Sequence, residues 1–127
     1  MHQLVLVVDD SMLIRHTVCR FLEERGFGVE SAANGLEALE MLKTIVPSLV
    51  IIDPQMSKMD GRQLMDALKS RPEMAKVSIV ILAARRSPLD ALPENHSPLV
   101  IYKDMDIEAQ LARVLETILP PRRTPPS

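Results

Sequence analysis

Short apolar runs alternate with helical periodicities along the whole chain. Leu4–Val8, Leu49–Asp53, Ser78–Ala83 and Leu99–Tyr102 read as strands, and a shorter one lies near Val29–Ala32. Between them, apolar residues recur at helical spacing. Ser11–Arg25 carries Ile14, Val18, Phe21 and Leu22 on one face, and Gly26 stops that helix. Gly35–Thr44 carries Leu36, Leu39 and Leu42, with Asn34 and Glu37 as a capping box. Pro47 enforces the following break. A third helix starts near Gly61 and buries Leu64 and Leu68. A last helix runs from Asp106, a good N-cap, to Leu119, with Ile107, Leu111, Val114 and Ile118 toward the sheet. The segment Ser87–Pro98 holds Pro88, Pro93 and Pro98, so the helix due there is expected to be short or broken. Strands that alternate with helices predict an α/β domain with a mostly parallel sheet. Right-handed crossovers can wind five such units in the order 2-1-3-4-5, with helices on both faces.

Composition narrows the function classes. The chain has 127 residues, 46% hydrophobic and 25% charged, enough for one domain with one sizeable core. The domain is expected over residues 1–119; residues 120–127 form a Pro-rich tail or the start of a linker. A net charge of −2, no Trp, one Tyr and two Phe argue against a nucleic-acid surface. The apolar runs fall far short of the ~20 residues of a membrane span. With a lone Cys19, no internal disulfide can form, and a cytoplasmic location is expected. Cys19 reads as a small apolar residue. His2, His16 and His96 lack metal-ligand spacing and read as surface or boundary residues.

The chemistry sits at the strand ends. Asp9 and Asp10 follow Leu4–Val8, Asp53 ends the third strand, and Lys103 follows Tyr102. In the 2-1-3-4-5 order, strands one and three are neighbours at the switch point, so Asp9, Asp10 and Asp53 converge at one sheet edge. Three close carboxylates repel one another and call for a cation. Mg²⁺ suits them, since it takes a few carboxylates and keeps waters that a phosphate can replace. Lys103 could reach across as a point charge for a phosphoryl oxygen. Asp10 alone could be only a helix N-cap, but capping does not account for the set with the lysine. Asp60 before Gly61 reads as a turn or cap residue, and Arg85 as a solvated loop residue.

These residues resemble the receiver domain of bacterial response regulators, of the single-domain chemotaxis type, over about Gln3–Leu119. The matching pieces are Val8-Asp9-Asp10-Ser11 with Arg15, Asn34-Gly35-Leu36-Glu37-Ala38-Leu39, Asp53 followed by Met56 and Met59-Asp60-Gly61, then Ala84 and Lys103. The resemblance implies a flavodoxin-like fold and a two-component phosphorelay. It implies that Asp53 accepts a phosphoryl group from a sensor histidine kinase, and that Asp10 and Asp53 ligate Mg²⁺ while Asp9 assists through water. The Gln55 carbonyl would join the metal. Lys103 and the amides of Gln55 and Ala84 would hold phosphoryl oxygens. Such a domain is a phosphoacceptor, not an enzyme, and signals through a downstream protein. Two copies could pair through the face running from strand four to the last helix.

The chain departs from the family pattern at three places. Ala83 stands where the family has Ser or Thr, Val100 where it has an aromatic residue, and Asp104 where it has Pro. Ala83 and Val100 keep open a second reading, an interaction module of the same fold in which phosphorylation no longer switches conformation. A Mg²⁺-dependent phosphatase with Asp53 as nucleophile is a third. It would usually want an acid two residues on, where Gln55 stands.

Overall fold

The computed structural model describes residues 3–53, 61–72, 77–83, 99–103 and 106–118. The described elements are β1 (Leu4–Val8), α1 (Met12–Glu24), β2 (Gly28–Ala32), α2 (Gly35–Met41), β3 (Leu49–Ile52), α3 (Gly61–Lys69), β4 (Ser78–Ala83), β5 (Leu99–Tyr102) and α4 (Ile107–Ile118). The five strands form one sheet in the order β2-β1-β3-β4-β5, and every pair is parallel. Four helices are described, and the Pro-rich segment Ser87–Pro98 lies outside the described residues.

β1 and β3 bury both faces, which is why their runs are continuously apolar, whereas edge strand β2 exposes Glu30 and Ser31. Val5, Val7, Leu49, Ile51, Val80, Leu82 and Ile101 face Val18, Phe21 and Leu22 of α1 and Leu111, Val114 and Leu115 of α4. The intervening residues Leu6, Val8, Val50 and Ile52 face Ala38 and Leu42 at α2 and Leu64 and Leu68 of α3. The two-residue period of a strand sorts one sequence run into two cores.

Helix ends follow local chemistry. Ser11 caps α1 by accepting the Ile14 N–H at 3.3 Å. Gly26, with φ of +91°, closes it: its N–H donates to Glu23 O and the Phe27 N–H to Leu22 O. Asn34 caps α2 by accepting the Glu37 N–H at 2.9 Å, while Glu37 Oε1 accepts the Ala33 N–H at 2.7 Å. The reach back is therefore one residue further than in the simplest capping box. Asp106 caps α4 by accepting the Ala109 N–H at 3.1 Å.

Two helix expectations are corrected. α2 ends at Met41, short of Thr44, because Lys43 and Thr44 donate to carbonyls three residues back and tighten the last turn. Leu36 is 53% exposed, so Ala38 and Leu42 carry the buried stripe, with Leu39 packed at its margin. Gly35, Ala38 and Leu42 lie on one helical face, and Leu36 is turned about 100° from it.

Candidate functional site

Sheet register brings the acids together. Val8 of β1 lies beside Ile52 of β3. One step further, the Asp9 N–H donates to Ala32 O at 3.1 Å and the Asp53 N–H to Val8 O at 2.9 Å. The ladder thus runs past both strands, and Asp9 and Asp53 leave adjacent strands in line. Lys103 leaves β5 two strands from β3, roughly 10 Å at normal strand spacing. Its N–H donates to Ala83 O at 2.8 Å, which fixes the root of the side chain.

The long lysine closes that gap. Lys103 Nζ lies 2.6 Å from Asp53 Oδ2 and 2.7 Å from Asp9 Oδ2. The first contact is a directed hydrogen bond. The second is an ion pair short enough for a hydrogen bond but not directed as one, so Asp9 Oδ2 is buried with no hydrogen-bond donor aimed at it among the described residues. Asp9 Oδ1 accepts the Ser11 N–H at 2.8 Å, and Arg15 Nη1 donates to the Asp9 carbonyl oxygen at 2.7 Å. These two contacts fold the β1–α1 connection around Asp9.

Burial dominates the titration of this group. Asp9 is fully buried, and desolvation pushes its carboxyl above the ordinary value of 3.8. Lys103 and the Ser11 N–H oppose that shift, and the nearby Asp53 adds to it. Burial alone would lower the Lys103 ammonium, yet Asp53 and Asp9 together lift it above its ordinary 10.5.

The residues present suit a hard divalent ion. Asp9, Asp10 and Asp53 each place a carboxylate oxygen within 4.8 Å of the others. Octahedral ligands at about 2.1 Å from Mg²⁺ stand roughly 3–4 Å apart, so small side-chain adjustments would suffice. Asp10 is exposed and does not cap α1, a role that Ser11 fills. Asp9 and Asp53 share one ammonium, and the undirected Asp9 Oδ2 is the kind of buried oxygen that a cation satisfies.

Asp9, Asp10, Asp53 and Lys103 are therefore gathered at one edge, as the strand order predicts. Gln55 and Ala84 lie outside the described residues, as do Asp60, Arg85 and Asp104. Of the histidines, His16 is exposed, and His2 and His96 are outside the described residues. Cys19 is half-buried against the α1 core, and burial pushes its thiol up.

One residue escapes the sequence reading. Gln110 is 8% exposed, a rare buried polar side chain. Its Oε1 accepts the Tyr102 N–H at 2.9 Å, and its Nε2 donates to Tyr102 O at 2.8 Å and Asp106 O at 3.2 Å. The available signal was its place three residues after Ile107, inside the apolar stripe of α4.

The protein is thus a doubly wound α/β domain with a lysine-bridged acid cluster at its switch point. The chain belongs to the response regulator receiver domain family, whose profile matches residues 5–114. It is 33% identical over 128 residues to the response regulator MprA of Mycobacterium avium, covering 96% of this chain and 52% of that protein. It is 38% identical over 86 residues to the gliding motility regulatory protein of Myxococcus xanthus, covering 68% of this chain and 11% of that protein. The chain thus spans about half the length of the MprA relative and about a tenth of the other. Among solved structures, chemotaxis protein CheY4 of Vibrio cholerae matches with TM-score 0.82 and 27% identity over 94% of this chain and all of that one. The receiver domain of a signal transduction histidine kinase from Syntrophus aciditrophicus matches with TM-score 0.79 and 28% identity, covering 98% and 96%. Response regulators of two-component systems receive their signal from histidine kinases, and this chain is a signalling domain of that kind. No helix of the described residues is long and apolar enough to cross a membrane.

Proposed function

We propose that this receiver accepts a phosphoryl group on Asp53 from a histidine kinase, with Mg²⁺, and signals by state-dependent partner binding. The observation that carries the reading is the Lys103 bridge, with one ammonium 2.6 Å from Asp53 and 2.7 Å from Asp9. In the transfer, an Asp53 oxygen attacks phosphorus in line. An O–P bond forms as the P–N bond to the kinase imidazole breaks, and the electron pair leaves with nitrogen. Two contacts support these roles: the Asp53 N–H bond to Val8 O, which fixes the acid at the end of β3, and the hydrogen bond from Lys103 Nζ to Asp53 Oδ2. Asp10, Asp53 and the Gln55 carbonyl would hold Mg²⁺, with Asp9 assisting through water; the ion would neutralise charge on the phosphoryl oxygens. The Gln55 and Ala84 amides would complete the oxygen contacts. Most of the catalysis is positioning, which suits a site built on rigid strand ends.

Incubation with acetyl phosphate and Mg²⁺, followed by intact-mass measurement, tests the reading. One acid-labile phosphoryl group on the wild type and none on Asp53→Asn is the expected result. Equal labelling of the two proteins, or no labelling of either, would reject it.

A further inference from the structure

We infer that Gln110 is a positioning residue for Lys103: its carboxamide clamps the end of β5 and so aims the lysine at Asp53 and Asp9. The inference rests on the reading of Lys103 as the group that holds a transferred oxygen.

β5 lies at the sheet edge, so among the described residues one side of it has no neighbouring strand. At Tyr102, the residue before Lys103, that open side is filled by a side chain. Gln110 accepts the Tyr102 N–H and donates to its carbonyl, the pair of bonds that a neighbouring strand would make. The other edge of the same strand end is held by the Lys103 N–H bond to Ala83 O. The root of Lys103 is thus gripped from both sides, by β4 and by α4.

The third bond extends the clamp. Gln110 Nε2 also donates to the Asp106 carbonyl, so one amide ties the residue before Lys103 to the residue that caps α4. The connection between them contains Asp104 and Met105 and no proline. It therefore has no ring to fix its backbone. Gln110 supplies the restraint through hydrogen bonds.

Leverage makes this matter. Lys103 crosses two strand spacings to reach Asp53, so a small tilt at Tyr102 becomes a large displacement at Nζ. Misplacement of a charge-stabilising group by about 1 Å can cost on the order of a hundredfold in rate. Burying a carboxamide within the apolar stripe of α4 is otherwise unfavourable, and two of the three bonds that offset it end on Tyr102, the residue before Lys103.

Gln110→Leu and Gln110→Glu, each alone and with Lys103→Ala, test the inference. The readouts are the rate of acetyl phosphate labelling and the Lys103 ammonium signal in ¹⁵N spectra. Gln110→Leu is expected to slow labelling about tenfold or more and to broaden the ammonium signal through faster proton exchange. In the Lys103→Ala background the same change should alter the rate by less than about twofold, because the clamp then has nothing to aim. A merely structural role would slow both backgrounds equally, and that result overturns the proposal. Gln110→Glu keeps the acceptor for Tyr102 and turns both donated bonds into oxygen–oxygen contacts, so it serves if Gln110→Leu does not fold, with slower labelling again expected only when Lys103 is present. Should the wild type fail to label, the reading of Asp53 fails, and the ammonium signal still decides this proposal: a sharp, unchanged signal in the variants overturns it.

Discussion

Asp9 and Asp53 leave neighbouring strands side by side and share one cation, the ammonium of Lys103. Each carboxylate is almost fully buried, so solvent screens the pair poorly. The arrangement is stable only while positive charge stands between them.

Lys103→Ala should therefore unfold more easily in EDTA, by about 2–3 kcal/mol, somewhat less than the ~3–5 for breaking a fully buried pair. Mg²⁺ should restore more stability to this variant than it adds to the wild type, since the ion takes over the missing charge. Urea titrations with and without Mg²⁺ measure both numbers. Equal Mg²⁺ effects on the two proteins would count against a metal between these acids.

Asp10→Ala should leave the fold intact and abolish Mg²⁺ binding. Asp10 is exposed, Ser11 performs the capping, and the cluster offers the ion few other carboxylates. Calorimetric titration of each protein with Mg²⁺, beside a circular dichroism spectrum, is the measurement. A variant that binds the ion as tightly as the wild type would show that Asp10 is not a ligand.

The pH dependence follows from the buried acid. The folded state holds the Asp9 proton more tightly than the unfolded chain, so the stability linked to it is full below pH 3.8 and lost as pH rises through the folded value. Asp9→Asn removes that slope, and wild type minus variant stability should be largest in acid and shrink toward neutrality. Lys103 acts at the other extreme: its contribution is present below pH 10.5 and lost as pH rises through its lifted folded value. Urea midpoints from acid to alkaline pH follow both trends; a wild type minus Asp9→Asn difference that grows with pH would contradict the first.

Beryllofluoride, a phosphoryl mimic, should perturb this receiver locally. Ala83 has no hydroxyl to draw toward the site and Val100 no ring to turn, so two groups that relatives are expected to move are missing. Amide shifts should centre on Asp9, Asp10, Asp53 and Lys103. Introducing Ala83→Thr should spread them along β4 and β5. Wide shifts along both strands in the wild type would refute this.

The architecture was legible because two periods are written plainly into the chain. Continuous runs such as Leu4–Val8 needed two buried faces, and spacings such as Val18, Phe21 and Leu22 needed a helix against them. Convergence of Asp9, Asp10, Asp53 and Lys103 followed from strand order, because each lies at or just past a strand end. What the sequence concealed depends on three-dimensional neighbours. Leu36 has the right spacing to Leu39 but turns outward, since the face that α2 buries runs through Gly35, Ala38 and Leu42. Gln110 looks like a surface residue by type, and the open edge of β5 gives its amide two of its three bonds.

Strands buried on both sides carry a hidden ambiguity. In β1 one face is filled by Val5 and Val7 and the other by Leu6 and Val8, so sliding the strand by one residue would exchange the cores at little hydrophobic cost. Alternation, which elsewhere tells a strand which way to face, says little here. The charge at its end resolves the matter. A shift of one position would pull Asp9 out of line with Asp53 and away from the ammonium that neutralises it, or drive it into the apolar layer. The acid rim is thus also a stop that sets strand alignment, and an apolar substitution at Asp9 would remove a folding instruction together with a ligand.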